Sequence, residues 1–362
     1  MKIFLEAEAL KSALEIAQKF TGRTTMSITK GFRLEVVNNH LVVESTDFDR
    51  GAKVRVDIKD GEGSEPVVVD GEKLSQIVRL TPKGSDLQLE KKGKAFHITS
   101  SIGSFAFKLA LMDESQFPRI PGIPKETEMT EIKLSSLIDI IEKLKFATNK
   151  GTERVFEEVI FLRDKRSFAT DTFKIGMVDS SELGMSLDIP VTSLGLIKLI
   201  DNEEVKIAST SEMIFLQGKT LFIAIRRLVV KTPEIARVLE SHENAPVSYT
   251  FDVDETKELR ENLRRAKIVD NVIHILPKEN KIICGSRNAE GEFRFAIDKT
   301  SSSHTDLGPL CFNAGYLAEV LQNVESMEIG FFGQKRPLSI KAEGFICLIQ
   351  GLTTEASNME GE

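Results

Sequence analysis

The chain has no tryptophan, only two tyrosines and three cysteines among 362 residues, and no long apolar run. Each shortage excludes something. Cys284, Cys311 and Cys347 are odd in number, far apart and set among apolar residues, which fits buried thiols better than disulfides or a metal site. No stretch approaches the roughly 18 apolar residues of a membrane span. The opening MKIFLEAEALKSALEI alternates charged and apolar residues where a signal peptide is continuously apolar. A cytoplasmic protein with no membrane association is therefore expected. Positive charge is not in excess either: 48 Lys and Arg stand against 55 Asp and Glu, a formal net charge of −7. Such a surface does not grip nucleic acid indiscriminately, although a local basic face is compatible with it.

Catalytic groupings are missing as well. His40, His97, His242, His274 and His304 form no HExxH or related spacing. Asp47 and Asp49 have only Glu44 and turn groups near them in sequence, too few ligands for a cation. LQGKT ends like a phosphate-binding loop, but Met213 stands where its first glycine belongs, and DGEGSEP has Pro66 at the third glycine of a dinucleotide fingerprint. No nucleophile elbow, recognition helix or zinc finger is visible. The expectation is a protein that is not an enzyme, with no catalytic residues, no metal and no cofactor.

What the chain does have is an internal repeat of about 120 residues. Helix-spaced apolar positions open three segments: Leu10, Ala13, Leu14 and Ala17; Leu134, Leu137, Ile138 and Ile141; Val253, Leu259, Leu263 and Ala266. A second helical set follows in each: Leu74, Ile77 and Val78; Leu194, Ile197 and Ile200; Leu317, Leu321 and Val324. Period-two strands come next at Leu87 and Leu89, Val205 and Ile207, and Met327 and Ile329. KKGK, LQGK and GQKR occupy one hairpin slot in the three copies. The fold class is α+β, with three two-helix plus β-sheet domains spanning 1–122, 123–245 and 246–362, divided at the proline-rich QFPRIPGIPKETEMT and the polar ESHENAPVS.

One phrase occurs twice. Thr46-Asp47 and Thr170-Asp171 fall in the same slot of successive repeats, between two strands, where CGSRNAEGE stands in the third. Thr and Asp suit such turns because their side chains bond nearby backbone groups, so architecture explains the repetition before catalysis is needed. The predicted helices and their ends carry cations without a catalytic grouping: Arg23 in TGRTT, Lys73 and Arg79, Lys143, Lys145 and Lys150, Lys198, and Lys257, Arg260, Arg264, Arg265 and Lys267 against Glu258 and Glu261. Any one of these suits a solvated mixed-charge face; together they suggest phosphate contacts without base reading.

The ordered set MKIFLEAEALKSAL, GRTTMSI, IVRLTPKGSDLQLE, SFAFKLALMDESQFPRIPG, FATDTFKIG and TPEIARVL resembles the bacterial DNA polymerase III β subunit family, the sliding clamps, over nearly the whole chain and loosely in the third repeat. The resemblance implies a homodimeric head-to-tail ring of six domains. Helices would line a hole for duplex DNA, held without regard to sequence, and the ring would tether DNA polymerase, clamp-loader subunits and repair factors. The implied DNA-facing set is Arg23, Lys73, Arg79, Lys143, Lys145, Lys150, Arg154, Lys198, Arg260 and Arg264. The implied partner-peptide pocket comprises Phe156, Thr170, Thr172, Phe173, Lys174 and Ile175, then Pro233, Arg237 and Val238, then Ile346, Cys347, Leu348 and Ile349. The implied dimer interface sets Phe107 and Leu109 against Ile268 and Val269. The chain departs from the family where Thr172-Phe173-Lys174 replaces Gly-His-Arg, and where LIQG and a polar tail, LTTEASNMEGE, replace Met-Pro-Met-Arg. These changes leave a second reading open, a divergent clamp-fold scaffold that has lost loading or common partner binding.

Overall fold

The computed structural model describes residues 1–22, 26–63, 65–103, 105–303 and 305–353. The first repeat contains β1 (Lys2–Glu6), α1 (Ala7–Ala17), β2 (Gly31–Val37), β3 (His40–Thr46), β4 (Arg50–Asp57), β5 (Asp60–Glu62), β6 (Val67–Asp70), α2 (Gly71–Arg79), β7 (Asp86–Lys92), β8 (Ala95–Ser100) and β9 (Ala106–Met112). The second contains β10 (Thr130–Lys133), α3 (Leu134–Leu144), β11 (Val159–Leu162), β12 (Arg166–Thr170), β13 (Lys174–Asp179), β14 (Leu187–Pro190), α4 (Leu194–Ile197), β15 (Glu204–Ser209), β16 (Met213–Gln217), β17 (Leu221–Arg226) and α5 (Ala236–Glu240). The third contains β18 (Val247–Phe251), α6 (Val253–Val269), β19 (Val272–Lys278), β20 (Lys281–Arg287), β21 (Glu292–Asp298), β22 (Leu310–Asn313), α7 (Ala314–Val320), β23 (Met327–Phe331), β24 (Leu338–Ala342) and β25 (Phe345–Ile349). No helix among the described residues is long and apolar enough to cross a membrane.

These elements gather into two compact units, residues 1–135 with 195–227, and residues 136–194 with 228–362. In the first unit a 13-stranded sheet runs β10-β15-β16-β17-β4-β3-β2-β6-β9-β8-β7-β1-β5. The second unit has an eight-stranded sheet, β14-β11-β12-β13-β25-β24-β23-β18, and a four-stranded sheet, β21-β20-β19-β22. The second repeat is thus shared between the units. Its β17 pairs with β4 of the first repeat, and its β13 pairs with β25 of the third.

The opening helices bury most of the stripe their spacing predicts: Leu10, Ala13, Leu14 and Ala17 in α1, Leu134, Leu137 and Ile141 in α3 with Ile138 half-buried, and Leu259, Leu263 and Ala266 in α6, where Val253 is exposed. The α6 start is held by a capping box in which Asp252 accepts from the Glu255 N–H at 3.0 Å and Glu255 accepts from the Asp252 N–H at 2.9 Å. The second helices differ from the sequence expectation. Asp70 caps α2 by accepting the Lys73 N–H (2.9 Å), and Asn313 caps α7 by accepting the Tyr316 N–H (3.1 Å). Pro190 and a 3₁₀ turn at Val191–Ser193 occupy that slot in the second repeat with no side-chain cap, and α4 is only four residues long. Ile200, Leu321 and Val324, expected on helices, lie beyond the helix ends and are buried there all the same.

The twin phrase forms twin turns. Thr46 Oγ1 donates to Arg50 O and Thr170 Oγ1 to Lys174 O, both at 2.9 Å. Asp47 Oδ1 accepts the Arg50 N–H and Asp171 Oδ1 the Lys174 N–H, both at 2.8 Å. The residue after each aspartate, Phe48 or Thr172, has a left-handed backbone, φ 75° and 71°. The third repeat keeps the chemistry with an amide: Asn288 Oδ1 accepts the N–H groups of Glu290 (2.8 Å) and Gly291 (2.9 Å).

Candidate protein-binding groove and basic helix faces

The second of these turns stands at one end of an apolar surface in the second unit. Strand pairing sets Phe161 opposite Phe168, Phe168 opposite Met177, and Met177 opposite Ile346, a row crossing β11, β12, β13 and β25. Phe161 and Phe168 stack with centroids 4.8 Å apart and planes 14° apart. Phe156, Leu228, Val230, Ile235 and Leu239 pack against this row. The 228–235 segment is fastened by Arg163, whose guanidinium donates to Asp188 (2.7 Å) and to Thr232 Oγ1 (3.0 Å) and lies 5.4 Å from the Phe161 ring centre. Around this floor large apolar side chains reach solvent: Val229 is 92% exposed, Phe173 57%, and Val155 and Val238 are exposed as well. Exposed apolar side chains beside one buried apolar row make this surface a candidate interaction site.

The residues singled out in the sequence divide by strand alternation. Neighbours on a strand point to opposite faces, so Ile346 and Leu348 share the face of Ile175 and Met177, with Leu348 buried and Ile346 half-buried. Cys347 and Ile349 lie on the other face, fully buried. A run of four consecutive residues cannot form one wall, and Cys347 and Ile349 are core residues. Burial pushes the Cys347 thiol up, away from thiolate chemistry. Lys174 is also buried: its Nζ lies 3.2 Å from Asp171, 3.8 Å from Glu319 and 4.2 Å from the Tyr316 ring centre, so it ties the turn to α7. Thr170 is buried in the turn, while Thr172 and Phe173 project from it. Pro233, before α5, is half-buried, and Arg237 and Val238, on α5, are exposed. Sequence reading missed Val159, Phe161, Phe168, Met177, Leu228, Val230, Ile235 and Leu239; the alternation in SFAT and KIGM was the available signal.

The cations are placed as follows. In the first unit Lys73 and Arg79 are exposed on α2, and Lys198 is exposed just past α4. In the second unit Lys143 pairs with Asp139 (2.8 Å), Lys145 with Glu142, and Arg264 with Glu261 (2.7 Å), while Lys150 is exposed in the loop after α3. Arg260 is less available than its helix suggests: it is half-buried and donates to Leu321 O at 3.3 Å. Arg154 lies off the helices, at the groove, 3.5 Å from Glu157 and 3.3 Å from Thr172 Oγ1. Arg23 lies outside the described residues. Among the interface residues, Phe107 on β9 is 41% exposed and Ile268 on α6 is 85% exposed, with Leu109 and Val269 half-buried.

The same fold occurs in known proteins. Residues 1–121 match the family described as DNA polymerase III beta subunit, N-terminal domain. The β sliding clamp of Staphylococcus aureus is 24% identical over 348 residues, covering 89% of this chain and 90% of that protein. That of Proteus mirabilis is 23% identical over 351 residues, covering 91% and 92%. The chain resembles β sliding clamps over about nine-tenths of its length. Solved clamp structures superpose on 98% of it: the DNA polymerase III subunit beta of Pseudomonas aeruginosa with a TM-score of 0.89 at 18% identity, and the Helicobacter pylori beta clamp bound to a DNA ligase peptide with 0.85 at 19%, each covered over 100% of its length. The clamp fold has therefore survived replacement of about four residues in five.

Proposed function

We propose that the chain is a processivity clamp: two copies close head to tail around duplex DNA and tether polymerase and other replication or repair proteins, in the cytoplasm and without catalysing a reaction. The observation that carries this is the match to β sliding clamps over 89% of the chain in sequence and 98% in fold. The three repeats, 1–122, 123–245 and 246–362, then supply the three domains of each half-ring. Phe107 and the half-buried Leu109 face Ile268 and Val269 of the second copy, since apolar side chains that reach solvent suit a buried interface core. Lys73, Arg79, Lys143, Lys145, Lys150, Lys198 and Arg264 provide weak, sequence-blind phosphate contacts. Encirclement lets a net-acidic protein hold DNA that it does not bind tightly. Partner peptides lie along the groove at Phe156, Thr172, Phe173, Pro233, Val238, Ile346 and Leu348, raising the local concentration of whatever carries them.

The experiment is retention on nicked circular DNA in the presence of a clamp loader and ATP. Retained protein should leave when the circle is linearised, because a ring slides off an end. Protein that is never retained, or that stays on linear DNA, contradicts encirclement and favours a clamp-fold scaffold that is no longer loaded.

A further inference from the structure

The apolar row of the second unit has a counterpart in the first, with different chemistry. The offset that carries Thr46 to Thr170 also carries Lys53 to Met177 and Phe222 to Ile346. It likewise carries the Arg55 N–H to Thr220 O bond onto the Asp179 N–H to Gly344 O bond, both 2.8 Å. Where the second unit sets Phe161, Phe168, Met177 and Ile346 side by side, the first sets Arg33, Glu44, Lys53 and Phe222. The hairpin over this row is also longer. Arg33 and Glu44 are 11 residues apart, against 7 for Phe161 and Phe168, so β2 and β3 reach two residues further before they turn. That overhang closes a cavity of about 390 Å³ against β4, β17 and Gly122, within the size range of ligand sites.

The charges there are unevenly committed. Arg33, at the end of the row, is buried and donates to Glu35 (2.7 Å), Glu44 (3.1 Å) and Glu114 (2.9 Å); Lys53 leans on Glu44 at 3.6 Å. The carboxylates of the cavity are thus answered from within. Arg55 and Lys219, at its mouth, are exposed and form no ion pair among the described residues. Val42, Phe222 and the exposed Val37 add apolar surface to the same lining. The opening therefore presents positive charge around an apolar floor.

We propose that this cavity is a second peptide-docking site, which takes a segment carrying apolar side chains flanked by carboxylates. A peptide as the ligand class rests on the reading of the second-unit groove as peptide-binding; the cavity, its floor and its two uncommitted cations do not. Burial of the apolar side chain supplies affinity, and Arg55 and Lys219 select acidic flanks, so the two grooves sort partners by charge.

The test is an anisotropy titration of the intact protein with a fluorescein-labelled synthetic peptide, DELFDE, alongside its uncharged analogue NQLFNQ. Arg55→Glu with Lys219→Glu should weaken DELFDE at least tenfold, and Val238→Asp in the other groove should change it less than twofold. Both sites are on exposed surface, so the variants should fold; methyl spectra of Val37 and Val42 should shift on adding DELFDE to the unaltered protein. Absence of binding, equal binding of NQLFNQ, or loss through Val238→Asp in place of the charge reversal overturns the proposal. Titrating NQLFNQ against the Val238→Asp variant examines the second-unit groove separately, so either reading can fail while the other stands.

Discussion

Asp171 and Lys174 are both buried, with 3.2 Å between carboxylate and ammonium, and Asp171 Oδ1 also accepts the N–H groups of Phe173 (3.1 Å) and Lys174 (2.8 Å). Two substitutions separate the ion pair from the turn. Asp171→Asn keeps an oxygen for the two N–H groups and removes the charge; Asp171→Ala removes both. At 3.2 Å and an effective dielectric of about 20, the attraction is about 5 kcal/mol. Glu319 at 3.8 Å and the Tyr316 ring at 4.2 Å remain to receive the ammonium. The asparagine variant should therefore lose only part of that, about 2 kcal/mol. The alanine variant also orphans two backbone donors and should lose about 3–5 kcal/mol, the range for breaking a buried pair. The assay is urea unfolding followed by tyrosine emission. The chain has no tryptophan, and both of its tyrosines, Tyr249 and Tyr316, lie in the second unit, so the signal reports that unit alone. Equal losses for Asn and Ala, or a loss below about 0.5 kcal/mol for either, would refute this division between charge and turn.

Three further outcomes are expected. Thr172→Gly should stabilise the second unit by about 0.5–1 kcal/mol in the same urea assay, because a β-branched residue at φ 71° is strained by about 1–2 kcal/mol, less the chain entropy that glycine adds; a destabilised variant would show the strain to be compensated. Burial pushes the Tyr249 phenol up to about 12, against about 10 in the unfolded chain. From pH 10 to 12 the unfolded state sheds a proton that the folded state keeps, so urea midpoints should fall with rising pH over that window and fall less for Tyr249→Phe. Ile268→Ala with Val269→Ala should move the light-scattering mass from two chains towards one, since interface anchors lose about 2 kcal/mol or more on truncation; an unaltered protein that is monomeric at micromolar concentration would contradict the interface.

Much of the fold was legible because periodicity reports burial. The stripes of α1, α3 and α6 and the alternations at Leu87, Val205 and Met327 were set by which faces meet the core. Helix lengths were less legible, since Ile200 and Val324 are buried without being helical, and burial alone does not distinguish the two. The groove was half visible. Phe156 packs on the apolar row and Thr172, Phe173 and Val238 are exposed, but LIQG read as a block hid the alternation that sends Cys347 and Ile349 inward. The charge on Lys174 suggested an exposed side chain, whereas Asp171, Glu319 and Tyr316 supply the partners that allow its burial. The third turn was placed at CGSRNAEGE, but its likeness to the other two was hidden, because Asn288 performs with an amide what Asp47 and Asp171 perform with a carboxylate. The overhang of β2 and β3 depends on which residues pair across a hairpin, and a single sequence does not state register.

The pairing of β17 with β4 and of β13 with β25 bears on how such a chain can change over generations. In a string of independent domains, deleting one copy shortens the string and leaves the others whole. Here each copy lends a strand edge to its neighbour, and excising the middle copy would bare β4 and β25 together. Open edges of that kind invite pairing with other chains. Hydrogen bonding between repeats thus ties the copies together: point substitution can leave these strand pairs in place, whereas loss of the middle repeat bares two strand edges.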